Sequence, residues 1–159
     1  MIATLSLIAA ASLTGLLDEL ACPAAFTAVI DDSKQTPLAH SASGKEAPPF
    51  NTPIRIGSVS QLFTGTVVLR LAEEDHLSLD DPISNYVEGV PSGELITLRQ
   101  LGTHRSGLPD AIRNGAFQKA IVADPGKQWQ PAEILDFAFQ QEPFDPPGQA
   151  FHYSNTNTI

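Results

Sequence analysis

Three segments of the chain hold side chains whose types and spacing could do chemistry. The first is Arg55-Ile56-Gly57-Ser58-Val59-Ser60-Gln61-Leu62-Phe63-Thr64. The second is Leu101-Gly102-Thr103-His104-Arg105-Ser106-Gly107-Leu108-Pro109, and the third is Pro147-Gly148-Gln149-Ala150-Phe151-His152-Tyr153-Ser154-Asn155. Ser58 falls where an apolar 3.6-residue period begins. Free backbone N–H groups and the helix dipole at such a start favour a developing alkoxide, the chemistry of a serine nucleophile. Position 61 lies one turn further on the same face. Other kinds of site are missing from the sequence. No two glycines are spaced G-x-G, no G-x-x-x-x-G-K-[ST] occurs, and no serine sits in a G-x-S-x-G elbow. The four histidines, His40, His76, His104 and His152, are far apart and form no H-E-x-x-H. A single cysteine, Cys22, excludes an internal disulfide and a multi-cysteine zinc site, and reads as a small buried residue.

In this order, the three segments resemble the large serine β-lactamase-related family of class C β-lactamases, DD-peptidases and esterases. That family reads S-x-x-K in a run like RIGSVSK-x-F-T, then L-L-T-H-T-S-G-L, then P-G followed by Y-x-N. The connecting runs LRLAEEDHLSLDDPISNY and ELITLRQL match as well, so the resemblance covers roughly residues 15 to 159. It implies a β-lactamase/transpeptidase-like α/β (α+β) fold, an antiparallel sheet with a helical region. It implies acyl transfer through a covalent Ser58 ester, without metal or cofactor, on β-lactams, D-Ala-D-Ala peptides or small esters. Tyr153 would be the partner acid/base, and Asn155 would hydrogen-bond the substrate amide or residue 61. A secreted or periplasmic location follows from the same resemblance.

Two departures bear on activity. Where the family has its motif lysine, this chain has Gln61, a neutral amide that cannot accept the serine proton at ordinary pH. The residues three before Lys34, Lys45, Lys119 and Lys127 are Asp31, Ala42, Ala116 and Asp124, so no intact S-x-x-K exists. The family also has a K-T-G or H-x-G strand well after Y-x-N, whereas the sequence runs four residues past Asn155 to Ile159. The expectation is an N-terminal part of the domain, incomplete at the C-terminus, with impaired catalysis. Three readings stay open: a hydrolase that tolerates Gln61, a homologue that binds a ligand without turnover, and a non-functional truncated remnant.

These side chains need elements to hold them. Residues 24 to 30 read as a strand and 38 to 43 as a weaker one, together a hairpin. The clearest helix runs from Ser58, as N-cap or first-turn residue, to about Asp75. Val59, Leu62, Phe63, Val67 and Leu71 set its period, and Val68 and Leu69 widen the stripe, which predicts a mostly buried helix. Thr97 is a good N-cap for a helix over Leu98 to Thr103, and Pro131 opens another to about Gln140. His104 belongs to a marker whose role reads as structural, Ser106-Gly107 as a turn, and Trp129 as core.

The 159 residues are 42% hydrophobic and 17% charged, a globular composition. With a net charge of −9 and scattered cations, the chain lacks the positive footprint that nucleic acid needs. A small-molecule or peptide substrate is the implied partner; oligomeric state is not readable. Ile2 to Leu17 is apolar but too short and too rich in Ala, Ser and Thr for a stable membrane span. Residues 1–14 read equally as a signal peptide or as an N-terminal helix extension, ahead of the β-lactamase-related part at 15–159.

Overall fold

The structure is a computed structural model that describes Ala25–Ile30, Pro37–Ser43 and residues 52–159. Cys22, the apolar stretch from Ile2 to Leu17 and the signal-or-helix question lie outside the described residues. The chain divides into two units, Met1–Arg55 and Ile56–Ile159.

In the first unit, strand β1 (Ala25–Ile30) pairs antiparallel with β2 (Pro37–Ser43), in register from Ala25 opposite Ser43 to Ile30 opposite Pro37. The ladder slips between Val29 and Ile30, next to Pro37. Proline has no N–H to give a ladder, so the first residue of a strand beside an irregularity is where it is tolerated. Both strands lie within a residue of the expected runs 24 to 30 and 38 to 43, the first apolar and β-branched, the second a weaker run of Ala, Ser and His after Leu38.

The second unit begins with a 3-10 turn, Gly57–Val59, that feeds α1 (Ser60–Glu73). Gly57 has φ +55°, a left-handed conformation natural to glycine, and Val59 N–H closes the turn on the Ile56 carbonyl at 3.2 Å. The regular helix therefore starts two residues later than the sequence predicts, and Ser58 caps neither element.

The expectation that α1 is mostly buried is overturned. Gln61, Gly65, Val68 and Ala72, a single i, i+4, i+7, i+11 stripe, are half-buried, and no residue of α1 is fully buried. Leu62 is 71% exposed and Phe63 66%. The reason is geometric. A wide apolar stripe says what a helix is able to bury, whereas among the described residues the neighbours meet α1 along one narrow line. Between α1, α2 (Leu98–Gly102) and the last residues lies a cavity of about 660 Å³, and Leu62, Gly65, Leu69, Leu79, Leu98 and Ile159 help to line it.

Thr97 caps α2 as predicted, with a reciprocal pair: Gln100 N–H donates to Thr97 Oγ1 at 3.2 Å and Thr97 N–H to Gln100 Oε1 at 3.0 Å. The preceding loop is tied to α2 by Arg99 on Asp80 at 2.9 Å. That hydrogen bond, aided by the guanidinium charge, holds the Asp80 carboxyl below its usual range. Helix α3 (Gly115–Ala123) stands where no helix is expected from the sequence, and Asn114 caps it by accepting from Ala116 and Phe117 N–H. Pro131 opens α4 (Pro131–Phe139), as expected. Phe117, Trp129 and Phe137 pack with ring centroids 5.0 to 5.8 Å apart, and Lys127 Nζ sits 3.7 Å above the Trp129 ring. No helix among the described residues is long and apolar enough to cross a membrane.

Ile96, Leu108, Ala111, Phe117 and Ala138 form the buried apolar set, and the run from Ser106 to Ala111 is buried without a break. Gly107 is the tightest point in that run. It has φ +76°, and a Cβ there would stand 1.9 Å from the Asp145 carbonyl oxygen. Gly107→Ala is expected to cost about 1–2 kcal/mol in left-handed strain and about 1–3 more in overpacking. Gly65→Ala, with nothing within 4 Å of the new Cβ, is expected to stabilise α1 by about 0.5–1 kcal/mol. Urea midpoints of the two variants check both signs.

Candidate active site

The turn Gly57–Val59 holds Ser58 exposed at the mouth of α1, and Gln61 occupies the first turn of that helix. Ser60, the other hydroxyl nearby, donates to the Gly57 carbonyl at 2.7 Å. This is the local bond expected of a serine in a helix's first turn.

Tyr153 and Asn155 come from a segment stitched along the buried run 104–111. His152 N–H donates to the His104 carbonyl at 2.9 Å. Ser154 Oγ and Thr156 Oγ1 both donate to the Pro109 carbonyl, at 3.2 and 2.6 Å. Ala111 N–H donates to Thr156 Oγ1 at 3.1 Å. Ser106 Oγ donates to Asn157 Oδ1 at 2.5 Å, and Asn157 Nδ2 lies 3.0 Å from His104 Nδ1. The His104 ring lies against the Tyr153 ring, with centroids 4.7 Å apart and planes tilted by 33°. His104 reaches this place with φ +54°, an uncommon conformation for a residue with a Cβ. The second segment of the sequence is thus a scaffold for the third.

These elements bring together Ser58, Gln61, Tyr153 and Asn155. Tyr153 OH donates to Ser58 Oγ at 3.0 Å. Gln61 Nε2 donates to the Tyr153 oxygen at 2.8 Å and to Asn155 Oδ1 at 3.2 Å. Ser58 and Gln61 share no hydrogen bond, so Tyr153 is the link between them. A hydroxyl whose oxygen already accepts from a phenol keeps its own hydrogen free to leave, and the phenol is placed to pass protons to and from it. The site is open: Tyr153 is 38% exposed.

Asp110 belongs to the site and is absent from the sequence-based set. Its carboxylate is 3% exposed and accepts from Asn155 N–H at 3.3 Å and from Asn155 Nδ2 at 3.2 and 3.1 Å. The sequence signal for it was an N-cap: Asp110 Oδ1 also accepts from Ile112 N–H at 3.1 Å, capping the 3-10 turn Ala111–Arg113.

A D-stereospecific amidohydrolase from Streptomyces sp. superposes with a TM-score of 0.79 at 28% identity, over 94% of this chain and 46% of that one. D-amino acid amidase from Ochrobactrum anthropi SV3 superposes with a TM-score of 0.69 at 26% identity, over 91% of this chain and 44% of that one. Protein flp of Staphylococcus aureus (strain N315) is 31% identical over 111 residues, 67% of this chain and 21% of its own length. The chain therefore spans less than half the length of these relatives, and its fold is β-lactamase/transpeptidase-like. Residues 9–159 match the family described as Beta-lactamase, and the chain belongs to that family.

Proposed function

We propose that the chain carries the acylation centre of a serine hydrolase, with Ser58 the nucleophile, Tyr153 the proton relay and Asn155 a holder of residue 61. The observation that supports this most directly is the pair of bonds at Tyr153, 2.8 Å to Gln61 and 3.0 Å to Ser58. The step balances without a further reactant. Ser58 Oγ attacks the carbonyl carbon and its proton passes to the Tyr153 oxygen, while the Tyr153 hydrogen goes to the leaving nitrogen or oxygen. An ester on Ser58 and a free amine or alcohol result. Water reverses the exchange through the same phenol. A lysine at position 61 would strengthen Tyr153 as a base; Gln61 only donates to it, so the centre is impaired rather than empty. The hairpin β1–β2 fits this reading as part of the fold's antiparallel sheet.

For substrate, the reading covers β-lactams, D-Ala-D-Ala peptides and small esters, and the likeness to a D-stereospecific amidohydrolase and a D-amino acid amidase adds amides of D-amino acids. Binding without turnover is the second reading, favoured by the fact that both Gln61 amide hydrogens are engaged. The test offers the chain a fluorescent penicillin, an activated ester, and D- and L-phenylalanine amide. Intact mass and product release are the readouts. A slow, persistent penicillin adduct and faster product from the D amide are expected. A folded chain that gives neither adduct nor product would sink acyl transfer, and equilibrium binding of the same compounds would then decide for the second reading.

A further inference from the structure

Asp110 touches neither Ser58 nor Tyr153 in the hydrogen-bond network, yet its chemistry reaches both. A carboxylate accepts and never donates, so the Asn155 side-chain atom facing it must be the amide nitrogen. Both Asp110 oxygens take that nitrogen, at 3.2 and 3.1 Å, and Asp110 Oδ1 is pinned by the backbone N–H groups of Ile112 and Asn155 at 3.1 and 3.3 Å. Arg113 Nε, 3.8 Å from Asp110 Oδ2, is the facing cation. With its nitrogen committed, Asn155 turns Oδ1 toward the helix. Residue 61 must then present a donor, and Gln61 gives one amide hydrogen to Asn155 Oδ1 and the other to Tyr153. Tyr153, already accepting from Gln61, directs its single hydrogen to Ser58 Oγ at 3.0 Å, the shorter of its two contacts, with Asn155 Oδ1 further off at 3.4 Å.

We infer that Asp110 is a positioning residue that sets the direction of every hydrogen bond from Asn155 to Ser58. Such a relay has two directions of similar energy when its terminal group is an amide, and one when it is a buried carboxylate. The direction set here leaves Ser58 as an acceptor and keeps the Gln61 carbonyl away from Tyr153. The hydrogen-bond inference stands on geometry alone; its consequence for Ser58 rests on the acyl-transfer reading.

Side-chain amide exchange, followed by NMR on the 159-residue chain, tests it without any substrate. In the unaltered chain both Gln61 side-chain amide hydrogens are expected to exchange slowly. Asp110→Asn offers a donor to Asn155, which turns over, and Gln61 follows so that its carbonyl faces Asn155. Exchange of the Gln61 amide hydrogens is expected to rise about fivefold or more, the factor that one net hydrogen bond is worth. Pairing Asp110→Asn with Asn155→Asp exchanges the two roles: the new amide at 110 donates to the new carboxylate at 155, whose other oxygen accepts from Gln61. That double variant is expected to restore slow Gln61 exchange. Unchanged Gln61 exchange in a folded Asp110→Asn chain would overturn the inference. If the single variant does not fold, the double variant decides: renewed folding with slow Gln61 exchange supports the assignment, and failure of either overturns it. A residue that only filled space would lower stability without this reversal. Loss of acyl transfer with the exchange pattern intact would instead count against the proposed reaction alone.

Discussion

Gln61→Lys is expected to accelerate acylation of Ser58 by about 10²–10⁴-fold, the usual worth of a positioned general base. Gln61 Nε2 already stands 2.8 Å from the Tyr153 oxygen and 3.2 Å from Asn155 Oδ1, so a cation or amine at position 61 meets two ready acceptors. A lysine side chain is one bond longer than glutamine and has no carbonyl to place, so it keeps both contacts and adds what glutamine lacks. In its cationic form it stabilises a phenolate at Tyr153, and as a neutral amine it accepts a proton itself. Single-turnover labelling by a fluorescent penicillin and by an activated ester measures the change. The lysine variant is expected to gain a pH-dependent rise in rate as its ammonium loses a proton, a limb absent with Gln61. Gln61→Ala is the control for position alone. Loss of both amide bonds loosens Tyr153, and its rate is expected to fall below that of the unaltered chain. Equal rates for Gln61 and the lysine variant would show that the amide is not what limits the reaction.

Much of this centre was legible from residue type and order, because serine, glutamine, tyrosine and asparagine each sit in a segment with a distinctive local pattern. Thr97 and Pro131 were legible for the same reason: a cap or a first-turn proline acts within one helical turn. What the sequence hid depends on partners distant along the chain. The stripe of α1 reads as buried because Leu62, Phe63, Val67 and Leu69 are apolar, but burial is a property of what packs against them, and the half-buried residues of α1 are Gln61, Gly65, Val68 and Ala72. Asp110 was hidden because its partner, Asn155, lies 45 residues away. The late start of α1 turns on the left-handed Gly57, which apolar periodicity cannot register. Helix α3 was missed where its Asn114 cap stands beside a glycine, a pair that reads more readily as a turn.

Ser58→Ala is expected to abolish covalent labelling, and in the unaltered chain every adduct is expected to map to Ser58. Four serines stand in the motif segments, and the structure gives each a different environment; Ser154 is fully buried and donates to the Pro109 carbonyl at 3.2 Å. Ser60 Oγ spends its hydrogen on the Gly57 carbonyl at 2.7 Å. Ser106 is 2% exposed, donates to Asn157 at 2.5 Å and accepts from Leu108 N–H at 3.0 Å, so it has neither access nor a free hydrogen. Ser58 alone combines exposure with acceptance from Tyr153, and among the described residues its own hydrogen is unclaimed. A strained β-lactam needs little general-base help to acylate such a hydroxyl, because ring opening supplies driving force and Tyr153 can hand its proton to the departing nitrogen. Labelling is therefore expected even with Gln61 in place, over long incubation, and peptide mapping after intact-mass measurement locates it. Tyr153→Phe removes the relay but not the nucleophile, so it is expected to slow labelling by about 10²–10⁴-fold while leaving its site unchanged. An adduct that persists in Ser58→Ala would remove the nucleophile assignment, and with it the proton path from Ser58 through Tyr153 to residue 61.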